Sequence, residues 1–406
     1  MSGHILNIAK DERMHALLGH FLRQKDYQVS DARNGLEAVR LLPSATPNLI
    51  LIDQDVEMGG LRTAHLLRLH PRYQRVPIVL IVDRDCDVEA LKKEGESVHL
   101  SSFLHKPFSG AELEKTTVDN LRLELPPLSI DNLRTSLLKL THLPVLEPNH
   151  RKMLSLLSPE DARVDIPQLV RAVELDQGMT TAVMHICNSA YYGFRGNSIQ
   201  GAITFLGIDK LRKIVQSVIV FDAFGPRDDK DLHDGFSINS LWKHSLACGV
   251  IMEKGGQMVR GRDHFIAGML HDIGKFIIYL RFPEYFHEVL CIVREEGKSM
   301  YQAERELIGI THADFGYELA RKWDLPPTIA NAIAHHHHPS QALQHKRLAS
   351  LVHLSDILAR TLSIGHGGDR KKIRMDDVAA PLAKYVLAVA RDKDRIAQEV
   401  EAMVSA

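Results

Sequence analysis

Along the first 120 or so positions, short unbroken apolar runs alternate with stretches of helical periodicity. Residues 4–10 form a short apolar strand, and 12–24 carry His15, Leu17, Leu18, Phe21 and Leu22 at helical spacing before extended chain around Tyr27 and Val29. Asn34 to Leu42 predicts a second helix, Asn48 to Ile52 a buried strand, Thr63 to Leu69 a helix, and Pro77 to Val82 another apolar strand. Strands that are apolar on both faces must be covered on both faces. The pattern therefore predicts a parallel sheet with helices on either side, a doubly wound α/β domain. A charged helix from Ser109 to about Glu124 closes it, and Pro126-Pro127 breaks the chain. Beyond that point everything reads as helix. Pro144, Pro148, Pro159 and Pro167 punctuate short pieces, and longer amphipathic segments are predicted at 167–187, 199–224, 237–254, 263–280, 300–322, 327–336 and 346–361.

Composition adds bounds to this picture. The 406 residues are 45% hydrophobic and 25% charged, which excludes a disordered, collagenous or disulfide-scaffold chain. At ~100–200 residues per domain, two or three domains are expected. Fifty basic and 51 acidic residues cancel to −1, so no global field is available for gripping a phosphate backbone, and nucleic acid is not an expected partner. The basic run Arg370, Lys371, Lys372 and Arg374 reads as a solvated face. Cys86, Cys187, Cys248 and Cys291 form no Cys-x-x-Cys pair, which argues against a disulfide framework or a cysteine zinc site and fits a reducing cytoplasm. No apolar run reaches the ~18–20 residues a bilayer requires, and the start of the chain lacks a secretory pattern, so neither insertion nor export is expected.

The strand–helix order, with Asp53 ending the third strand and Lys106-Pro107 following a fifth at Ser102 to Leu104, resembles a response-regulator receiver domain over residues 4 to about 122. The resemblance implies a flavodoxin-like fold, a phosphoacceptor at Asp53 and a phosphate partner at Lys106. It also implies an acidic pair after the first strand to hold the divalent cation that phosphoryl transfer needs. Ala9 and Lys10 stand at that place. Val82 replaces the expected hydroxyl residue after the fourth strand, and the loop Val56-Glu57-Met58-Gly59-Gly60 lacks the usual proline. These departures point to a pseudo-receiver in which Asp53 and Lys106 persist as an internal ion pair. Asp11 and Glu12 keep open a rescued metal site.

Asn188-Ser189-Ala190-Tyr191-Tyr192-Gly193, then the stretch 202–215, then Gly268-Met269-Leu270-His271-Asp272-Ile273-Gly274-Lys275, is similar to the HDOD output domain, a relative of the HD phosphohydrolases. The match runs from about Leu133 to Pro339. Domains are thus expected at 1–122 (receiver-like), 123–132 (linker), 133–339 (an all-α, HD-like HDOD core) and 340–406 (a helical extension). By resemblance, His244, His271, Asp272, His312, His336, His337 and Asp356 form a metal-ligand set. Imidazole and carboxylate together suit divalent transition ions, and Fe, Mn, Zn and Mg are all open candidates. On one continuous helix His271 and Asp272 lie about 100° apart, close enough to converge, and Lys275 sits one turn on, where it could hold a phosphate oxygen. Against this, His338-Pro339-Ser340 stands where the HD-GYP phosphodiesterases have Gly-Tyr-Pro, and Ser240 where some have a ligating glutamate. Any one of the 23 histidines is ordinarily a surface or hydrogen-bonded core residue.

Two functions follow as expectations. One is a cytoplasmic two-component signalling adaptor acting through contacts with other signalling proteins, with homodimerisation open. The other is a metal-dependent phosphohydrolase of a nucleotide or cyclic dinucleotide, with Asp272 and Lys275 as catalytic groups.

Overall fold

The computed structural model describes residues 3–41, 47–70, 73–121, 123, 143–157, 164–224, 236–256, 263–307, 309–369 and 374–404. Pro126-Pro127, the linker at 124–132, Pro159, and Arg370 to Lys372 lie outside them. The chain divides into two compact units, one of residues 1–142 with 281–289 and 302–310, the other of the remainder.

In the first unit, β1 (His4–Ile8), β2 (Gln28–Ala32), β3 (Leu49–Asp53), β4 (Ile78–Asp83) and β5 (Ser102–Lys106) form one parallel sheet in the order β2-β1-β3-β4-β5. Interleaved with them are α1 (Glu12–Gln24), α2 (Gly35–Arg40), α3 (Gly60–Leu69), α4 (Val88–Glu94) and α5 (Gly110–Leu121). Every residue of β3 is buried, as expected of a central strand covered on both faces. Ile5, Leu49, Leu51, Val79 and Ile81 make a core with Leu18 and Leu22 of α1 and Leu113 of α5. Asp11 and Asn34 accept backbone N–H groups at the starts of α1 and α2, which sets those helices where the apolar spacing predicts them. Helix α4, capped by Asp87, has no buried residue. It therefore carries no apolar stripe by which the sequence could announce it.

His65 of α3 gives this unit a pH response. Its Nδ1–H donates to the Leu61 carbonyl at 2.9 Å, its Nε2 accepts from Ser97 Oγ at 3.1 Å, and burial pushes the imidazole down to about 4. Because the unfolded ring titrates near 6.5, the unfolded state takes up the proton first as pH falls, and stability is lost between pH 6.5 and 4. The loss should approach about 3 kcal/mol. Denaturant melts of wild type and His65→Gln across that window should converge as the pH falls; a constant gap would contradict this account.

In chain order the remaining helices are α6 (Pro148–Leu157), α7 (Ile166–Glu174), α8 (Gln177–Cys187), α9 (Ile199–Leu206), α10 (Ile208–Phe224), α11 (Ile238–Gly256), α12 (His264–Leu270), α13 (Ile273–Arg281), α14 (Pro283–Glu296), α15 (Met300–Leu307), α16 (His312–Lys322), α17 (Pro327–His335), α18 (Lys346–Leu362), α19 (Ala383–Leu387) and α20 (Lys393–Val404). Several predicted segments are two helices. Asp176 caps α8 and splits 167–187, Gly207 with φ +84° splits 199–224, and Thr311 with Asp314 forms a capping box that restarts the chain at α16. Helix α14 falls between the longer segments singled out at 263–280 and 300–322. The segment 263–280 also divides, and it does so at His271-Asp272. These two residues are not on one continuous helix as the spacing argument assumed, but on the two-residue junction between α12 and α13.

Candidate metal centre

The phosphoacceptor-like position in the receiver is already occupied by its own lysine. Asp53 is 5% exposed, and Lys106 Nζ lies 2.6 Å from its Oδ1 and 2.8 Å from Asp55 Oδ2. Burial works against the ammonium charge, but the two carboxylates more than offset it and hold the lysine above its ordinary range. Ala9 and Val82 are fully buried, and Lys10 faces Glu57 at 3.5 Å. The two acids that might substitute are engaged elsewhere. Asp11 caps α1, and Glu12 pairs with Arg33 at 2.9 Å. Acetyl phosphate with Mg²⁺ is therefore expected to leave the intact mass unchanged; one added phosphoryl group, absent from Asp53→Asn, would show a live receiver.

In the second unit the seven sequence-predicted ligands come together. His244 is on α11, His271 and Asp272 on the α12–α13 junction, His312 at the first position of α16, His336 and His337 just past α17, and Asp356 on α18. His244, Asp356, His271 and a fourth residue, Cys248, each offer a ligand atom, all four within 4.8 Å of one another; Asp272, His312, His336 and His337 form a second such group. His337 is partly exposed, and the others are at most 1% exposed.

Hydrogen bonds outside the cluster decide which ring nitrogens face inward. His271 Nδ1–H donates to the Gly268 carbonyl and His336 Nδ1–H to the Ile333 carbonyl, both at 2.7 Å, so each Nε2 carries a lone pair turned to the centre. Those two Nε2 atoms and Asp272 Oδ1 are buried without a hydrogen-bond partner. Buried polar atoms are normally satisfied. Two of them, His336 Nε2 and Asp272 Oδ1, lie 3.6 Å apart with His312 Nε2 at 3.3 Å from the same Asp272 oxygen, and this arrangement fits a divalent transition ion better than it fits a core polar network. Around them, His353 Nδ1–H donates to the His336 carbonyl and its Nε2 accepts from the Asp376 N–H.

The electrostatics reflect burial and charge pairing. Burial drives His244 down, His336 to about 4 and His337 well below the usual range. It also opposes charge on His271, yet Asp272 beside it brings the net shift upward. For both carboxylates burial favours the neutral acid, but His271 and Lys275 hold Asp272, and Arg360 and His244 hold Asp356, well below the usual carboxylate range. The aspartates are ionised, and His244, His336 and His337 are neutral.

Lys275 is placed differently from expectation. Its Nζ donates to Asp272 Oδ2 at 2.6 Å and to the Gly367 carbonyl at 2.7 Å, so it is an internal counter-ion with two of its three N–H donors already taken. Ser240 ligates nothing here; its hydroxyl bonds within the turn at Ser237, and its carbonyl accepts from the His366 N–H at 2.8 Å. Sequence reasoning missed Arg360, Asp369, Cys248 and the backbone of 365–368. Arg360 Nε donates to Asp356 Oδ1 and its Nη1 to Asp369 Oδ2, both at 2.6 Å. Gly365, with φ +70°, lies so close to α11 that a Cβ would overlap the His244 N, and a Cβ at Gly367 would come 3.1 Å from His244 Nε2. The i, i+4 spacing of Asp356 with Arg360 and of His244 with Cys248 was the one available signal. Nothing in the sequence pointed to Asp369.

A family model for the response regulator receiver domain matches residues 5–117, and one for the HDOD domain matches residues 143–339. The chain thus carries a receiver-domain match and an HDOD match in succession, and this pairing fits a signal-transduction regulator. An uncharacterized protein of Treponema pallidum is 25% identical over half of this chain, and the chain spans about two fifths, 40%, of that relative's length. The transcriptional regulatory protein SrrA of Staphylococcus aureus is 27% identical over 43% of this chain and 78% of its own. A solved HDOD domain protein of unknown function from Geobacter sulfurreducens shares the fold, with a TM-score of 0.54 and 24% identity over 66% of this chain and 96% of that one. Among the described residues no helix is long and apolar enough to cross a membrane.

Proposed function

We propose that this protein is a signalling adaptor whose HDOD domain acts through contacts with other signalling proteins rather than by turnover. The observation that carries this reading is that the His/Asp centre is assembled and sealed: Asp272 and Asp356 are already neutralised by Lys275 and Arg360, and the backbone of 365–367 lies against His244. A phosphoester would have to displace Lys275 or Arg360 before reaching the carboxylate oxygens they hold. The receiver supports the same reading, because Lys106 bridges Asp53 and Asp55 while Ala9 and Lys10 stand where metal-binding acids would be needed.

The unpartnered Nε2 atoms of His271 and His336 and Oδ1 of Asp272 favour a second reading, metal-dependent phosphohydrolysis. A bound divalent ion would supply Lewis acidity and a water acidic enough to attack at neutral pH. The chain's own part would be to hold that ion with the histidines and Asp272. Lys275 could reach a phosphate oxygen only after releasing the Gly367 carbonyl. Screening untagged protein against nucleotides and cyclic dinucleotides with Mn²⁺, Fe²⁺ and Mg²⁺ separates the two. No metal-dependent product is expected, and product that disappears in Asp272→Ala would replace the adaptor reading with the hydrolase.

A further inference from the structure

We propose that Arg360, pinned by Asp369, is a resident cation that fills one metal position at Asp356, so that the centre takes a single divalent ion, on Asp272, His312, His336 and His337. The inference concerns metal capacity and holds for an adaptor or an enzyme alike.

The geometry separates the two ligand groups. In the first, Asp356 Oδ1 is the oxygen that faces His244 Nε2 at 3.0 Å, and it is also the oxygen that accepts from Arg360 Nε at 2.6 Å. An ion shared by His244, His271 and Asp356 would have to compete for that atom with a guanidinium. Arg360 is not free to swing away, because its Nη1 is bound to Asp369, whose side chain is fully buried and also accepts the Met300 N–H. A charge-assisted fork held at both ends is among the stronger polar contacts a protein makes. In the second group, Asp272 meets Lys275 through Oδ2 alone. Its Oδ1, the atom facing His312 and His336 at 3.3 and 3.6 Å, has no hydrogen bond.

Charge leads to the same count. Asp272, Asp356 and Asp369 face Lys275 and Arg360, all with buried side chains except Arg360, which is 15% exposed. With the histidines neutral, as metal ligation requires, that balance leaves one negative charge, which one divalent ion turns to one positive. A second ion would leave three positive charges unscreened by water, a cost that burial makes prohibitive. Replacing Arg360 removes one of those charges and frees Asp356 Oδ1 at the same time.

The test is titration of the metal-free full chain with Mn²⁺, read by electron paramagnetic resonance and elemental analysis. Wild type should bind one ion with an uncoupled signal. Arg360→Met should bind two, with the signal of the pair altered by exchange coupling, and Arg360→Lys should remain at one. Two coupled ions in wild type would overturn the proposal without recourse to any variant. So would an absence of buried Mn²⁺ in wild type, or a folded Arg360→Met that still stops at one ion. Should Arg360→Met not fold, Asp369→Asn, which unpins the guanidinium, takes its place, and a wild-type stoichiometry there would equally count against the proposal. None of these readouts depends on hydrolysis, so they stand apart from the nucleotide screen.

Discussion

Lys213→Met is expected to destabilise the helical unit by about 3–5 kcal/mol, the cost of leaving buried charge without its partner. Lys213 on α10 is 6% exposed and places Nζ 2.6 Å from Glu399 on α20 and 2.6 Å from Glu253 on α11. The same Glu399, 3% exposed, accepts from Tyr191 at 2.8 Å and Tyr192 at 3.3 Å. The two tyrosines of Asn188-Ser189-Ala190-Tyr191-Tyr192-Gly193 thus serve to fasten the C-terminal helix. Without the lysine, Glu399 and Glu253 would face each other with their folded pKa values above the unfolded ~4.3. A carboxyl raised in this way contributes stability below the unfolded pKa and loses it as pH rises. The deficit of the variant should therefore be full at pH 7 and shrink toward pH 4. Thermal melts should fall by on the order of 10 °C at pH 7, and Lys213→Met combined with Glu399→Gln should recover part of the loss. An unchanged melting temperature would show that the lysine is solvated in the folded state.

Gly274→Ala should cost about 3 kcal/mol or more, beyond the usual range for adding one methyl group, and should abolish Mn²⁺ uptake. A Cβ on Gly274 would overlap the carbonyl of His312, and backbone, unlike a side-chain tip, cannot rotate away. Either α13 or α16 must retreat, and His312, whose Nε2 lies 2.8 Å from that of His337, moves with it. The glycine of His271-Asp272-Ile273-Gly274-Lys275 is thus a close-approach position, as a strand or helix crossing often requires. Denaturant melts and metal binding measured on the same sample check both effects. A stable variant with intact Mn²⁺ binding would mean that the two helices are further apart than described.

What the sequence determined alone is whatever depends on local periodicity and on which residue types are present. The apolar runs at 48–52 and 77–82 could only be buried parallel strands, and the replacement of an acidic pair by Ala9 and Lys10 is visible without coordinates. The resemblance to the HD phosphohydrolases, carried by ordered motifs in the sequence, likewise nominated His244, His271, Asp272, His312, His336, His337 and Asp356. Tertiary structure alone decided where they meet and what else is there. The turn at His271-Asp272 breaks a helix that the apolar pattern runs straight through, since Gly268, Leu270 and Ile273 are buried whether or not the axis bends. Lys275 reads from the sequence as a cation poised for a phosphate oxygen and Arg360 draws no notice, but packing sets both against carboxylates 2.6 Å away. Asp369 lies 97 positions from Asp272 in the chain, and its part in the charge balance comes from a loop closed over the site by glycines whose neighbours leave no room for a side chain. Such long-range pairings are set by the packing of whole helices, and no window of sequence contains both partners.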